Sequence, residues 1–241
     1  MRQFAGFVFA GKSFADLSPS KACVRLLFLN TSIMFIAIVF GIWSQYEEPG
    51  RYFREGRIMT WISTLQLFVM SYFTNYVWRL TRSQGKFSWR DQAAVWKIMS
   101  VVFFIAALDE ILRIHEAIDR YSHKLLGILP TEFSDHLDDA IVALYGVVGL
   151  SALVYYWRQI PLYWRSIGYM SAAFVTAVIS IILDFLSGSR TLVAKFVHDG
   201  PDLEFYVTWL AVFEEVFKIY AEVFFIAGFI YCYKIAEKKS L

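Results

Sequence analysis

Asp109, Glu110, Arg113, His115 and Glu116 fall within eight residues of one apolar stretch, ALDEILRIHEAID, from Ala107 to Asp119. A second stretch near the C-terminus, VFEEVFKIYAEVFF, carries Glu214, Glu215, Lys218 and Glu222. Carboxylates and imidazoles exchange protons near neutral pH and hold divalent metals. In a bilayer such groups are costly, so where they recur they face a cavity or one another and mark a functional site. Asp184, in a further apolar stretch, belongs with them. Asp109, Glu110, Glu116, Asp184, Glu214, Glu215 and Glu222 are seven acids against two bases, Arg113 and Lys218, with His115 a third. The excess acids must be protonated, hydrated or neutralised by a bound cation. Carboxylates joined by one imidazole suit Zn, Mn or Fe. All seven acids and His115 are therefore candidate metal ligands, and Glu215, Glu116 and His115 are candidate catalytic groups. Arg113 and Lys218 are expected in structural ion pairs, Arg113 with Asp109 and Lys218 with Glu214 or Glu222, each four residues apart. The Glu-x-x-His of helical di-metal bundles is not met, because His115 follows Glu110 by five residues.

These groups have to be positioned by helices, because the chain around them has the composition of a membrane protein. Of its 241 residues, 58% are hydrophobic and 19% aromatic, above the ~45–50% apolar content of an average soluble domain. The excess falls in blocks long enough to cross the ~30 Å hydrocarbon core as helices of about 20 residues. Residues 24–46, 58–78, 93–121, 138–157, 166–186 and 206–233 qualify. They predict an all-α polytopic membrane protein, a six-transmembrane-helix bundle over 24–233. Residues 1–23 read as a cytosolic or interfacial arm without a signal-peptide cleavage pattern, and 234–241 as a cytosolic tail. A net charge of only +2 argues against nucleic acid as a partner.

Lys and Arg gather in the arm (Arg2, Lys12, Lys21, Arg25), between the second and third spans (Arg79, Arg82, Lys86, Arg90, Lys97) and in the tail (Lys234, Lys238, Lys239). The alternate connections are balanced or acidic, so both termini are expected in the cytosol. Cys23 and Cys232 then lie on the reducing side, and no disulfide is expected. Counting about 20 residues of helix from Lys97, and back from Lys234, sets His115 and Glu116 level with Glu214 and Glu215. The same count sets Asp109 and Glu110 level with Glu222. Helical spacing places Asp109, Arg113, Glu116 and Arg120 on one stripe of an unbroken third helix, with Glu110 and His115 at its edges. It places Glu214, Glu215, Lys218 and Glu222 in one sector of the sixth.

The residues Leu108-Asp109-Glu110, His115-Glu116, Asp184, Glu214-Glu215 and Glu222 resemble the pattern of a group of uncharacterised bacterial six-span proteins. That group carries LDE-x4-HE in a middle helix and EE followed by a further Glu in the last. The resemblance covers the third to sixth spans and implies a shared site in a bacterial inner membrane. A second resemblance is to membrane-embedded glutamyl proteases of the PrsW type, through Glu214-Glu215-x-x-Lys218 and His115-x-x-x-Asp119. Here the two motifs stand in reversed order and no FxxxE follows. This resemblance implies a Glu that activates water and a histidine that holds an oxyanion or a metal.

The residues thus point to a metal-binding carboxylate/His site in the outer half of the membrane. It is expected to act in metal-assisted hydrolysis or transfer on a lipid or a membrane-protein substrate. Three alternatives remain open: a proton or cation transporter, a non-catalytic subunit of a larger membrane complex held by its buried ion pairs, and a PrsW-like intramembrane protease.

Overall fold

The computed structural model describes residues 17–44, 48–54, 56–82, 88–126, 137–197 and 201–240. The expected arm up to residue 16, together with His136, His198 and Asp199, lies outside them, as do the side chains of Asp119, His123, Asp138 and Asp139. All regular structure among the described residues is helical. The α-helices are α1 (Pro19–Trp43), α2 (Ile58–Thr81), α3 (Ala94–Leu112), α4 (Ile114–Leu126), α5 (Leu137–Tyr155), α6 (Ile167–Gly188), α7 (Arg190–Ala194) and α8 (Pro201–Ser240). Short 3-10 segments, Pro49–Tyr52 and Trp157–Ser166, precede α2 and α6.

Three helical stretches are long and apolar enough to cross a membrane: Pro19–Trp43, Trp157–Gly188 and Asp202–Ser240. Two further helices carry polar groups that lower their apolar character, Gln66 and Asn75 in α2 and Lys97, Asp109 and Glu110 in α3. On α5 the apolar stretch Ala143–Tyr155 is shorter. Large apolar side chains cover the outside of the bundle, among them Phe28 and Phe35 on α1, Trp61 on α2, Val154 on α5 and Ile181 on α6. A surface of this kind is not tolerated in water over such an extent and is the natural surface of a protein in lipid.

The bundle is organised around α8. The most apolar part of α8 is 61% buried inside the protein, against 22% for α1 and 11% for the stretch ending in α6. Small residues let neighbours approach it: Ala221 and Ala227 are buried, and at Gly228 an added Cβ would come within 2.8 Å of Met170 Cε on α6. One half of the core joins Met70, Phe73 and Val77 of α2, Val95, Trp96 and Met99 of α3, and Ile226, Phe229 and Ile230 of α8. At the other end Met34 and Ala37 of α1 and Met59 of α2 pack on Val212 and Ile219 of α8. There the Pro49–Tyr52 segment lies close over α8, with Gly50 against Thr208.

The expected third helix is not continuous. Arg113 adopts the left-handed conformation (φ 54°, ψ 47°) and ends α3, and α4 starts afresh at Ile114. Arginine is a good helix former, so nothing local signals a break. The left-handed backbone costs an L-residue roughly 1–2 kcal/mol. What offsets it is a set of hydrogen bonds to Asp109, described next.

Candidate functional site

Asp109 is 2% exposed and sits in the last turn of α3. Its Oδ1 accepts the backbone N–H of His115 at 2.8 Å and faces His115 Nδ1 at 3.0 Å. Its Oδ2 accepts the Tyr145 hydroxyl of α5 at 3.1 Å. The tautomer with its proton on Nδ1 lets the imidazole donate to this carboxylate oxygen. The backbone bond satisfies one of the orphan N–H groups at the start of α4. One acid therefore caps the new helix, orients the imidazole and ties α5 to both. None of this is open to an unbroken helix, in which positions 109 and 115 are six residues apart and on different faces.

The break also redistributes the expected stripe. Glu116 is held by Arg113, whose Nε donates at 2.7 Å, and by Arg120 Nη1 at 3.1 Å. This cluster sits at the start of α4 with both arginine side chains exposed. Asp109 is engaged by His115 and Tyr145, so the expected Asp109–Arg113 side-chain pair is replaced.

On α8 the expected partners of Lys218 change as well. Its Nζ donates to Glu215 Oε1 at 2.7 Å, three residues back on the same helix, and to Glu110 Oε1 of α3 at 3.1 Å. The ammonium is thus a bridge between α3 and α8 in place of a pair with Glu214 or Glu222. All three side chains are mostly buried, with 29%, 12% and 20% of the Lys218, Glu215 and Glu110 side chains exposed. The contact marks the antiparallel register of the two helices. Seven residues along each, Phe103 meets Phe225, with ring centroids 6.2 Å apart, and two turns of about 10.5 Å separate the pairs on both sides. Glu110 is therefore level with Lys218, and Glu222 lies a turn further along α8, a correction to the depth expected from counting.

Glu222 is 6% exposed. Its Oε1 accepts Ser63 Oγ of α2 at 2.6 Å, and its Oε2 is buried with no hydrogen-bond partner. Asp184 is partly buried near the end of α6. One turn before it, Ser180 Oγ donates to the backbone carbonyl of Glu214 at 3.0 Å, so α6 brings Asp184 to the same end of α8 as Glu214. Ser63 and Tyr145 did not stand out in the sequence. Each is a single hydroxyl in an apolar helix, and only the packing shows that each faces an acid. Among the described residues no group of three or more His, Cys, Asp and Glu side chains is arranged to hold a metal ion.

The arrangement thus holds Asp109, Glu110, Glu116, Glu215 and Glu222 each by a named donor, including an Asp–His pair and a Lys bridged by two Glu. It can shift protons and can present a fixed positive charge to a developing negative one. A family model described as a domain of unknown function, DUF8692, matches residues 24–233. No curated protein and no solved structure matches the chain.

Proposed function

We propose that this chain, which belongs to the DUF8692 family, is a six-span integral membrane protein with both termini cytosolic, and that its outer-half network is an acid–base site for hydrolysis or transfer on a membrane-embedded substrate. The network residues, from Ser63 to Glu222, lie within the matched residues 24–233, so they fall inside the family unit. The observation that carries the proposal is the Lys218 bridge from Glu215 to Glu110, where Glu110 directly follows in the chain the Asp109 that pairs with His115. His115, oriented by Asp109, would take a proton from the attacking water or hydroxyl through Nε2 and return it to the leaving group as the scissile bond breaks. Lys218 would stabilise the negative charge that then develops on the substrate. Glu110 and Glu215 hold the ammonium in place. Cleavage of a membrane protein in the PrsW manner is one form this reaction would take, since Glu214-Glu215 and Lys218 belong to the same network.

Zn, Mn or Fe remains a proposal for the excess acid. No step is routed through it, because the described donors do not converge on one point. Stoichiometric metal in the purified protein, and a lower melting temperature with chelator, would put it in the site.

Passage of protons is the second reading, favoured by Glu222 Oε2. Further buried polar atoms without hydrogen-bond partners, Thr64 Oγ1 and Gln66 Oε1, lie on α2, and Asn30 Nδ2 on α1, the two helices that share the core around Ile219 of α8. They extend polar character from Glu222 into the protein, and a relay of this kind would need no substrate.

The test uses full-length protein in vesicles made from total membrane extract of cells lacking it. Lipids and membrane-protein fragments are compared by mass spectrometry for the wild type and His115→Ala. A product formed only by the wild type supports the acid–base site. No difference in either class, together with a proton flux lost in Glu222→Gln, would replace it with the relay.

A further inference from the structure

We infer that the groove between α2 and α3, at the end of the bundle away from the acids, is a binding site for an anionic phospholipid. The groove has a volume of about 410 Å³ and is lined by Lys97, Asn75 and Tyr72 towards one end and Phe68, Val101 and Phe104 towards the other. Its floor is built by two reciprocal bonds: Ser71 Oγ donates to the Ser100 carbonyl at 2.8 Å, and Ser100 Oγ to the Ser71 carbonyl at 3.0 Å. These small residues draw the two backbones together, and the larger side chains on either side stand up as walls.

Among the described residues the polar end carries positive charge without a matching acid. Lys97 Nζ has a long bond of 3.4 Å to the neutral Asn75 Oδ1 and lies 5.1 Å from the Trp78 ring centre. The Arg82 guanidinium lies over the same ring at 4.9 Å. Two cations thus share one indole, and neither has an ion pair among the described residues. A phosphodiester supplies the missing charge and accepts from both. The shape selects a lipid over free phosphate. Lys97 is in the first turn of α3, and Phe104 is seven residues on, about 10 Å along the helix. Charge at the membrane boundary and rings below it match a headgroup followed by the start of an acyl chain. This inference rests on the six-span proposal, which places the groove in the cytosolic leaflet, and is independent of the acid–base site.

The experiment reads Trp78 fluorescence in full-length protein reconstituted in phosphatidylcholine vesicles, as the difference between wild type and Trp78→Phe. Phosphatidylglycerol or phosphatidylcholine with brominated chains is added as quencher. The expected result is about a fivefold preference for phosphatidylglycerol, the order expected for one or two basic contacts at the surface. Lys97→Gln should remove the preference and Lys97→Arg should keep it. Equal quenching by the two lipids overturns the site while leaving the spans intact. A preference that survives in Lys97→Gln, or that inorganic phosphate abolishes by competition, overturns it too. Quenching by neither lipid removes α2 from the bilayer, and the six-span proposal fails with it.

Discussion

Helices α3 and α8 meet twice, by different physics. In the half nearer the start of α3, Trp96 and Phe103 meet Phe229 edge-on, with ring centroids 6.4 and 5.4 Å apart, and Phe225 stacks beside it. These ring contacts involve no charged side chain. In the other half the same two helices are joined by Lys218 between Glu110 and Glu215. The aromatic half joins the pair through ring contacts alone. A buried ion network is also seldom the more stable way to fill such a space, because desolvation offsets much of the attraction. The charged half therefore does not look like a device for packing alone, and its extra cost is what makes it a candidate for chemistry.

The largest effect that would sharpen this contrast is expected at Lys218. Lys218→Met leaves Glu110 and Glu215 facing one another without a cation and should cost ~3–5 kcal/mol. Denaturant unfolding in detergent measures it. Adding Glu110→Gln and Glu215→Gln to the same chain should recover most of the loss. If the triple variant is as unstable as the single one, Lys218 acts through something other than its two acids. In the aromatic half Phe229→Ala should cost ~3 kcal/mol through the cavity it leaves, while activity per folded molecule stays near that of the wild type. A comparable loss of activity per folded molecule would break the division between the two halves.

Asp109→Asn comes next, at about 1–3 kcal/mol, since the amide can present an N–H where three donors now converge. Its activity should fall with that of His115→Ala, and stability and activity are read on the same preparation. An active Asp109→Asn protein would leave the pair as a helix cap only. The smallest effect is at Arg113. Arg113→Ala keeps the left-handed backbone and loses the exposed pair with Glu116, for less than about 1 kcal/mol. Arg113→Gly should be more stable than the Ala variant by about 1 kcal/mol, because glycine adopts this conformation freely. Equal melting temperatures would mean that α3 continues through position 113 in solution.

Much of the site was legible because membrane composition makes each charge conspicuous. Asp109, Glu110, Arg113, His115 and Glu116 were picked out as ionisable groups in an apolar stretch, as were Glu214, Glu215, Lys218 and Glu222. Their pairing was not legible. Lys218 lies within reach of acids three and four residues away on its own helix, and spacing alone does not choose Glu215 over Glu214 or Glu222. The choice depends on Glu110, more than 100 positions away in the chain and brought in by the packing of the helices. Hydroxyl partners were harder still, since Ser63 and Tyr145 have nothing in their neighbourhoods to mark them as facing an acid.

What the sequence determined by itself is the part governed by local free energies. Apolar blocks and helix propensity make the chain helical, three of its stretches apolar enough to span a membrane, and keep its acids to a few helix positions. Tertiary structure alone decided the break at Arg113 and the roles that follow from it. A left-handed arginine is unfavourable in every local account, and the hydrogen bonds that offset it come from Asp109, whose position is in turn held by Tyr145 on another helix. A conformation stabilised by contacts that exist only after the helices have packed leaves no signal in the residues that adopt it.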